Sequence, residues 1–223
     1  MKTTRKLGIF LAATVMLAAC ASQVPQETPD GLVLQPDSRL QDVYLLPGAD
    51  LKEYSEFGVT DCRVAFRKNW LRDQNNSRLD ISNRVTQKDV DRIKDKLGEQ
   101  CEHYFRAALQ ASPAYTLVDE FNQGEAVLVV RPAIVNLDIS APDTMSPGMT
   151  RTYTTSTGEM TLHLELVDGT TGQVLARVID RERSPNMGRL QWTNGVTNKA
   201  DADRALSRWA QALRQALDSA TGR

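Results

Sequence analysis

The chain is poor in the residues that most often carry catalysis or bind metals. Its 223 residues include two histidines and three cysteines, and aromatic residues make up 6%. Neither His103 nor His163 belongs to a convincing set of metal ligands. No G-x-S-x-G elbow, phosphate loop or G-x-G-x-x-G after a strand is present. Neither sign of charge dominates, with 27 Lys and Arg against 28 Asp and Glu, so the basic field that draws proteins to nucleic acid is missing. There is also no run of about 20 apolar residues, the length a helix needs to cross a bilayer. Distant residues can still assemble a catalytic constellation, but the expectation is a non-enzyme with no cofactor, no metal and no nucleic-acid partner.

The clearest signal lies at the N-terminus. Lys2, Arg5 and Lys6 precede an apolar run of 11 residues, Leu7 to Leu17, interrupted by Gly8 and Thr14. This is the pattern of a signal peptide. It closes on Leu17, Ala18, Ala19 and Cys20, which resembles the lipobox of bacterial lipoproteins at all four positions. The resemblance implies cleavage before Cys20, a diacylglycerol on its thiol and further acylation of palmitate type. Ala21 and Ser22 stand where the family's inner-membrane retention rule places Asp, so the implied destination is the periplasmic face of the outer membrane. Each buried lipid methylene contributes about 0.8 kcal/mol, and several acyl chains together make the attachment effectively permanent.

Loss of residues 1 to 19 takes Lys2, Arg5 and Lys6 with it, leaving 24 basic and 28 acidic residues. Residues 20 to 53 carry Pro25, Pro29, Pro36 and Pro47 with Gly31 and Gly48 and show no sustained periodicity. They predict a tether after the lipidated cysteine, with a reach of roughly 30 Å if it behaves as a coil. Residues 54 to 223 then form a single periplasmic domain large enough for one full core. With Cys20 acylated, Cys62 and Cys101 are the remaining thiols in an oxidising compartment, and one disulfide is expected between them.

Within the domain, Phe57, Val59, Val64 and Phe66 predict a strand over 56 to 68 whose alternation breaks near Asp61 and Cys62. Thr86, with Asp89 three residues on, predicts a capped helix from Gln87 to Gln110, its apolar stripe running Val90, Ile93, Leu97, Cys101, Tyr104, Phe105 and Ala108. Pro113 ends it, Tyr115 to Asp119 is a short strand, and Ala126 to Ser140 a long one in which Pro132 implies a bulge or an edge. Met160, Leu162, Leu164 and Leu166 alternate with polar residues, and Asp168 to Gly172 turns the chain into Gln173 to Arg181 as a hairpin. Asn198 is expected to cap a final helix lined by Ala202, Leu206, Trp209, Leu213 and Leu217. The fold class is α+β: a mostly antiparallel sheet with two main helices packed on one face.

Together, the lipobox, the proline-rich segment, Leu51 to Tyr54, the Val127 to Leu137 strand and the Asp168 to Gly172 hairpin resemble a proteobacterial lipoprotein family catalogued only as a domain of unknown function. At fold level the order of elements is also similar to auxiliary lipoproteins of envelope transport systems, by analogy alone. The resemblance implies a location and a fold rather than a substrate. Two functions stay open: an accessory protein that binds an envelope protein or the cell wall, and a carrier of a lipid or small hydrophobe. The carrier predicts surplus apolar positions around a pocket.

Loop length indicates where a binding surface should lie. Ala141 to Thr157 is a 17-residue connection where a hairpin needs two to five, and long loops in compact domains are usually functional or disordered. In an antiparallel meander this segment and 182 to 197 emerge at the same edge and should meet. They offer Arg151, Tyr153, Arg183, Asn186, Arg189 and Trp192, cations and aromatics of the kind enriched at binding hot spots.

Overall fold

A computed structural model describes residues 24–36, 38–76, 84–121, 124–140, 142, 152–154, 158–184, 191–193 and 195–223. The strands are β1 (Val33–Leu34), β2 (Asp42–Leu45), β3 (Glu56–Val59), β4 (Arg63–Phe66), β5 (Thr116–Val118), β6 (Val127–Ile139), β7 (Thr152–Thr154), β8 (Gly158–Asp168), β9 (Val174–Arg183) and β10 (Gln191–Thr193). The helices are α1 (Trp70–Asn76), α2 (Gln87–Gln110) and α3 (Gly195–Thr221), with a 3-10 turn at Leu51–Glu53. The main sheet runs β1-β2-β9-β8-β6-β3-β5, with β4 also on β6, and β7 and β10 form a separate ribbon. Pairing is antiparallel from β1 through β2, β9 and β8 to β6. It is parallel where β3 and β4 meet β6 and where β5 meets β3.

One sheet face is covered by the two long helices. Leu128, Val130 and Ile134 of β6 and Leu162, Leu164 and Leu166 of β8 share a core with Leu97, Cys101, Phe105 and Leu109 of α2 and Leu206, Trp209, Leu213 and Leu217 of α3. The period-two pattern of the strands and the apolar stripes of the helices thus meet on this face.

Helix α2 starts as its sequence dictates. The Asp89 backbone N–H donates to Thr86 Oγ1 at 3.2 Å and the Thr86 N–H donates to Asp89 Oδ2 at 3.0 Å, closing a capping box. Burial pushes the Asp89 carboxyl up, but hydrogen bonds from Thr86 and Arg92 outweigh it and hold the group below the ordinary carboxylate range. At the other end Arg214 gathers the carbonyls left without helical partners, donating from Nη1 to Ala108 at 3.1 Å and to Ala111 at 2.8 Å. In mid-helix, a Cβ on Gly98 would lie 2.8 Å from the Cys62 carbonyl oxygen. Only glycine lets α2 come this close, and one turn on, Cys101 is bonded to Cys62 with Cα atoms 5.9 Å apart.

The structure corrects several expectations. The stretch read as a tether adds two short strands to the sheet, although most of its residues from Val24 onward are exposed. β2 lies antiparallel on β9, β1 on β2, and Leu32 and Tyr44 are buried. Its prolines punctuate short edge strands instead of keeping the chain free of the sheet. The irregularity expected near Asp61 and Cys62 is a full break that divides the strand expected over 56 to 68 into two, both parallel to β6. Pro132 faces that break: β3 ends opposite Val130 and β4 begins opposite Ala133, so the missing N–H falls where the partner changes, a local edge. Helix α3 begins at Gly195, so Asn198 lies inside it and does not cap it. Helix α1 was not anticipated; Trp70 anchors it in a small core with Val85 and Val90 and donates to the Ile139 carbonyl at 3.2 Å.

Candidate functional site

The end of β6, the start of β8 and the end of β9 come to one edge of the sheet. Ile139 pairs with Gly158 and Glu159 with Arg183. Gly158 is required there, since its φ is +143° and a Cβ would lie 2.0 Å from the Asp138 carbonyl oxygen. From the same edge the two long connections do meet: β7 and β10 pair antiparallel, with Tyr153 opposite Trp192.

Beside this edge, α2 and the start of α3 diverge from the sheet and leave a cleft of about 420 Å³. Its floor is apolar, made by Ile93 and Leu97 of α2, Leu137 and Ile139 of β6, Met160 of β8 and Ala202 of α3. Its rim is charged and mostly paired. Glu159 accepts Arg181 Nη2 at 2.6 Å and Arg183 Nε at 2.9 Å. Burial pushes the Glu159 carboxyl up, and the two arginines outweigh it and hold it low. Asp138 accepts Arg67 Nε at 2.7 Å, Glu182 pairs with Arg208, and Lys199 pairs with Asp203 at 2.6 Å. Lys96 and Glu99 stand exposed on the rim without an ion pair among the described residues. An apolar floor inside a ring of oriented polar groups buries part of a ligand and fixes its orientation, which is the general form of a binding site.

One polar residue behind the cleft escaped the sequence analysis. Asp180 is buried and collects three donors: the Gln41 backbone N–H at 2.8 Å, Trp209 Nε1 at 2.7 Å and Arg208 at 2.9 Å. The signal was the strand parity itself, since Asp180 follows Ala176 and Val178 on the core side of β9 and pairs with buried Leu162. A carboxylate at such a position demands donors.

Of the residues expected to form a binding surface, Tyr153 and Trp192 are register partners in the ribbon. Arg183 lies at the end of β9 against Glu159 on the cleft rim. Arg151, Asn186 and Arg189 lie outside the described residues, as does Cys20. His163 faces away from the helices between Ala133 and Ile179, and His103 neighbours Tyr104 on α2. Among the described residues no group of three or more His, Cys, Asp or Glu could hold a metal ion, and no helix is long and apolar enough to cross a membrane.

Residues 32–213 match the family described as "Protein of unknown function (DUF3313)". No curated protein matches the chain. Among solved structures it is similar to the PelC dodecamer from Paraburkholderia phytofirmans and to a point variant of it. Both align at 12% identity and TM-score 0.38, covering 77% of this chain and 96% and 95% of theirs respectively. The likeness is distant.

Proposed function

We propose, for a chain that belongs through residues 32–213 to the family described as "Protein of unknown function (DUF3313)", that it is a non-catalytic binding protein of the cell envelope. It is a lipoprotein of proteobacterial type, held to the periplasmic face of the outer membrane by acyl chains on Cys20, and it binds at the cleft between α2, α3 and the β6, β8 and β9 strand ends. The observation that carries this reading is the apolar floor set inside a rim of paired charges. An envelope protein that places an apolar side chain in such a pocket gains burial at the centre, and the surrounding charges set its orientation.

The same floor favours a second reading, a carrier whose cleft takes a lipid or small hydrophobe. Mass spectrometry of material extracted from the purified protein separates the two. The carrier retains an apolar ligand that is lost in Ala202→Trp, where the cleft is filled; the accessory protein elutes empty. The anchor has its own test. Cys20→Ser should leave an unlipidated form that no longer sediments with membranes, and full sedimentation of that variant would remove the lipoprotein part of the proposal.

A further inference from the structure

We infer that the β1–β2 edge of the sheet is seated on the lipid surface that holds the protein. The inference rests on the acylation of Cys20 proposed above and adds an orientation to it. Chain from Val24 onward is already committed to the fold: the Thr28 N–H donates to the Leu32 carbonyl, Leu34 donates to Gln26, Asp30 is gripped by Arg177, and Leu32 is fully buried. Residues 21 to 23 are all that separate the acylated position from Val24. Four peptide steps at about 3.6 Å each bring the Cα of Val24 within about 14 Å of the Cα of Cys20, whatever path the chain takes. A domain held on so short a lead cannot stand clear of the membrane, and the edge that emerges beside the lead must face it.

That edge has the composition the position requires. Among the described residues the exposed large apolar side chains are Val24, Val33 and Leu45, and all three fall in this N-terminal segment. Val33 and Leu45 are register partners, so their side chains share one face. The nearby charges argue for apolar contact over attraction to anionic headgroups. Asp30 is neutralised by Arg177, and Asp42 on β2 and Glu27 beside β1 outnumber Arg39, which donates to Gln215, so the described residues from 24 to 45 form no basic patch. Seating through aliphatic side chains should therefore occur on zwitterionic lipid and change little with salt.

Amide hydrogen exchange tests this on the full lipidated protein in phosphatidylcholine vesicles, compared with soluble Cys20→Ser. Amides of residues 33 to 45 should slow by roughly tenfold on the vesicles while those of the Lys94 face of α2 stay unchanged, because lipid cover suppresses only local opening. Val33→Asp with Leu45→Asp should abolish the slowing and leave the protein membrane-bound; Val33→Gln with Leu45→Gln is the milder pair should the first perturb β1. Intact mass of the N-terminal peptide is read in the same experiment. An acylated Cys20 with no protection at 33 to 45, or protection that survives both pairs, overturns the seating alone. An unmodified Cys20 overturns the anchor and the seating with it.

Discussion

Arg177 grips Asp30 with two parallel hydrogen bonds, Nη1 to Oδ1 at 3.0 Å and Nη2 to Oδ2 at 2.7 Å, while its Nε reaches Glu165 at 2.9 Å. The pair joins the N-terminal segment to the outer face of β9, across a sequence separation of 147 residues. It is the polar counterpart of the burial of Leu32.

The hydrogen bonds from Arg177 first, and Thr28 second, hold the Asp30 carboxyl well below the usual carboxylate range. A depressed folded-state pKa means that the contribution is complete above the unfolded value of about 3.9 and is lost as pH falls through the folded value. With the Asp30 side chain 43% exposed, solvent screening limits the effect to about 1 kcal/mol or less. Asp30→Asn should therefore raise hydrogen exchange over residues 24 to 34 at pH 7, and wild type should drift toward the same rates below about pH 4. Unchanged protection in Asp30→Asn would show that Leu32 and the strand pairing hold the segment without the ion pair.

The Cys62 to Cys101 bond closes a separation of 39 residues. On chain-entropy grounds it stabilises the fold by about 4 kcal/mol. Denaturing alkylation without reductant should leave both thiols unmodified, and replacing both by serine should lower the unfolding free energy measured in urea by an amount approaching that figure. Two alkylated thiols in wild type would contradict the bond.

Asp180→Ala should be among the most destabilising single changes, costing about 3 kcal/mol or more, because it strands the buried Trp209 Nε1 and the Gln41 N–H and leaves the half-exposed Arg208 with Glu182 alone. Asp180→Asn keeps an acceptor oxygen and should lose less. Urea denaturation followed by tryptophan fluorescence measures both. A loss under about 0.5 kcal/mol for the alanine variant would mean that water replaces the carboxylate without penalty.

What could be read in advance follows the range of the interactions. Thr86 and Asp89 are three residues apart, so α2 and its cap were legible; so was the hairpin, because Leu162, Leu164 and Leu166 alternate beside a turn built on Asp168. The meeting of the two long connections followed from antiparallel geometry and appears as Tyr153 opposite Trp192. The docking of β2 was hidden because Val43 and Tyr44 find their partners at Val178 and Arg177, and prolines nearby resemble those of a free linker. The break between β3 and β4 was legible in the lost alternation near Asp61 and Cys62, but not their parallel pairing with β6, which no local pattern announces. The cleft was missed for a related reason: Ile93, Leu97 and Ala202 look like ordinary core stripe until the helices diverge from the sheet.

The most direct test of the binding cleft is site-specific photocrosslinking in living cells. Probes replacing Lys96 and Lys199 on the rim, and Tyr153 in the ribbon, are compared with probes at Lys94 and at Arg131 on the opposite sheet face, each with and without Ala202→Trp. The proposed function predicts defined adducts from the rim and ribbon positions that disappear when Ala202→Trp fills the floor, and none from positions 94 and 131. Adducts only from 94 or 131, or rim adducts indifferent to the filled cleft, would contradict it.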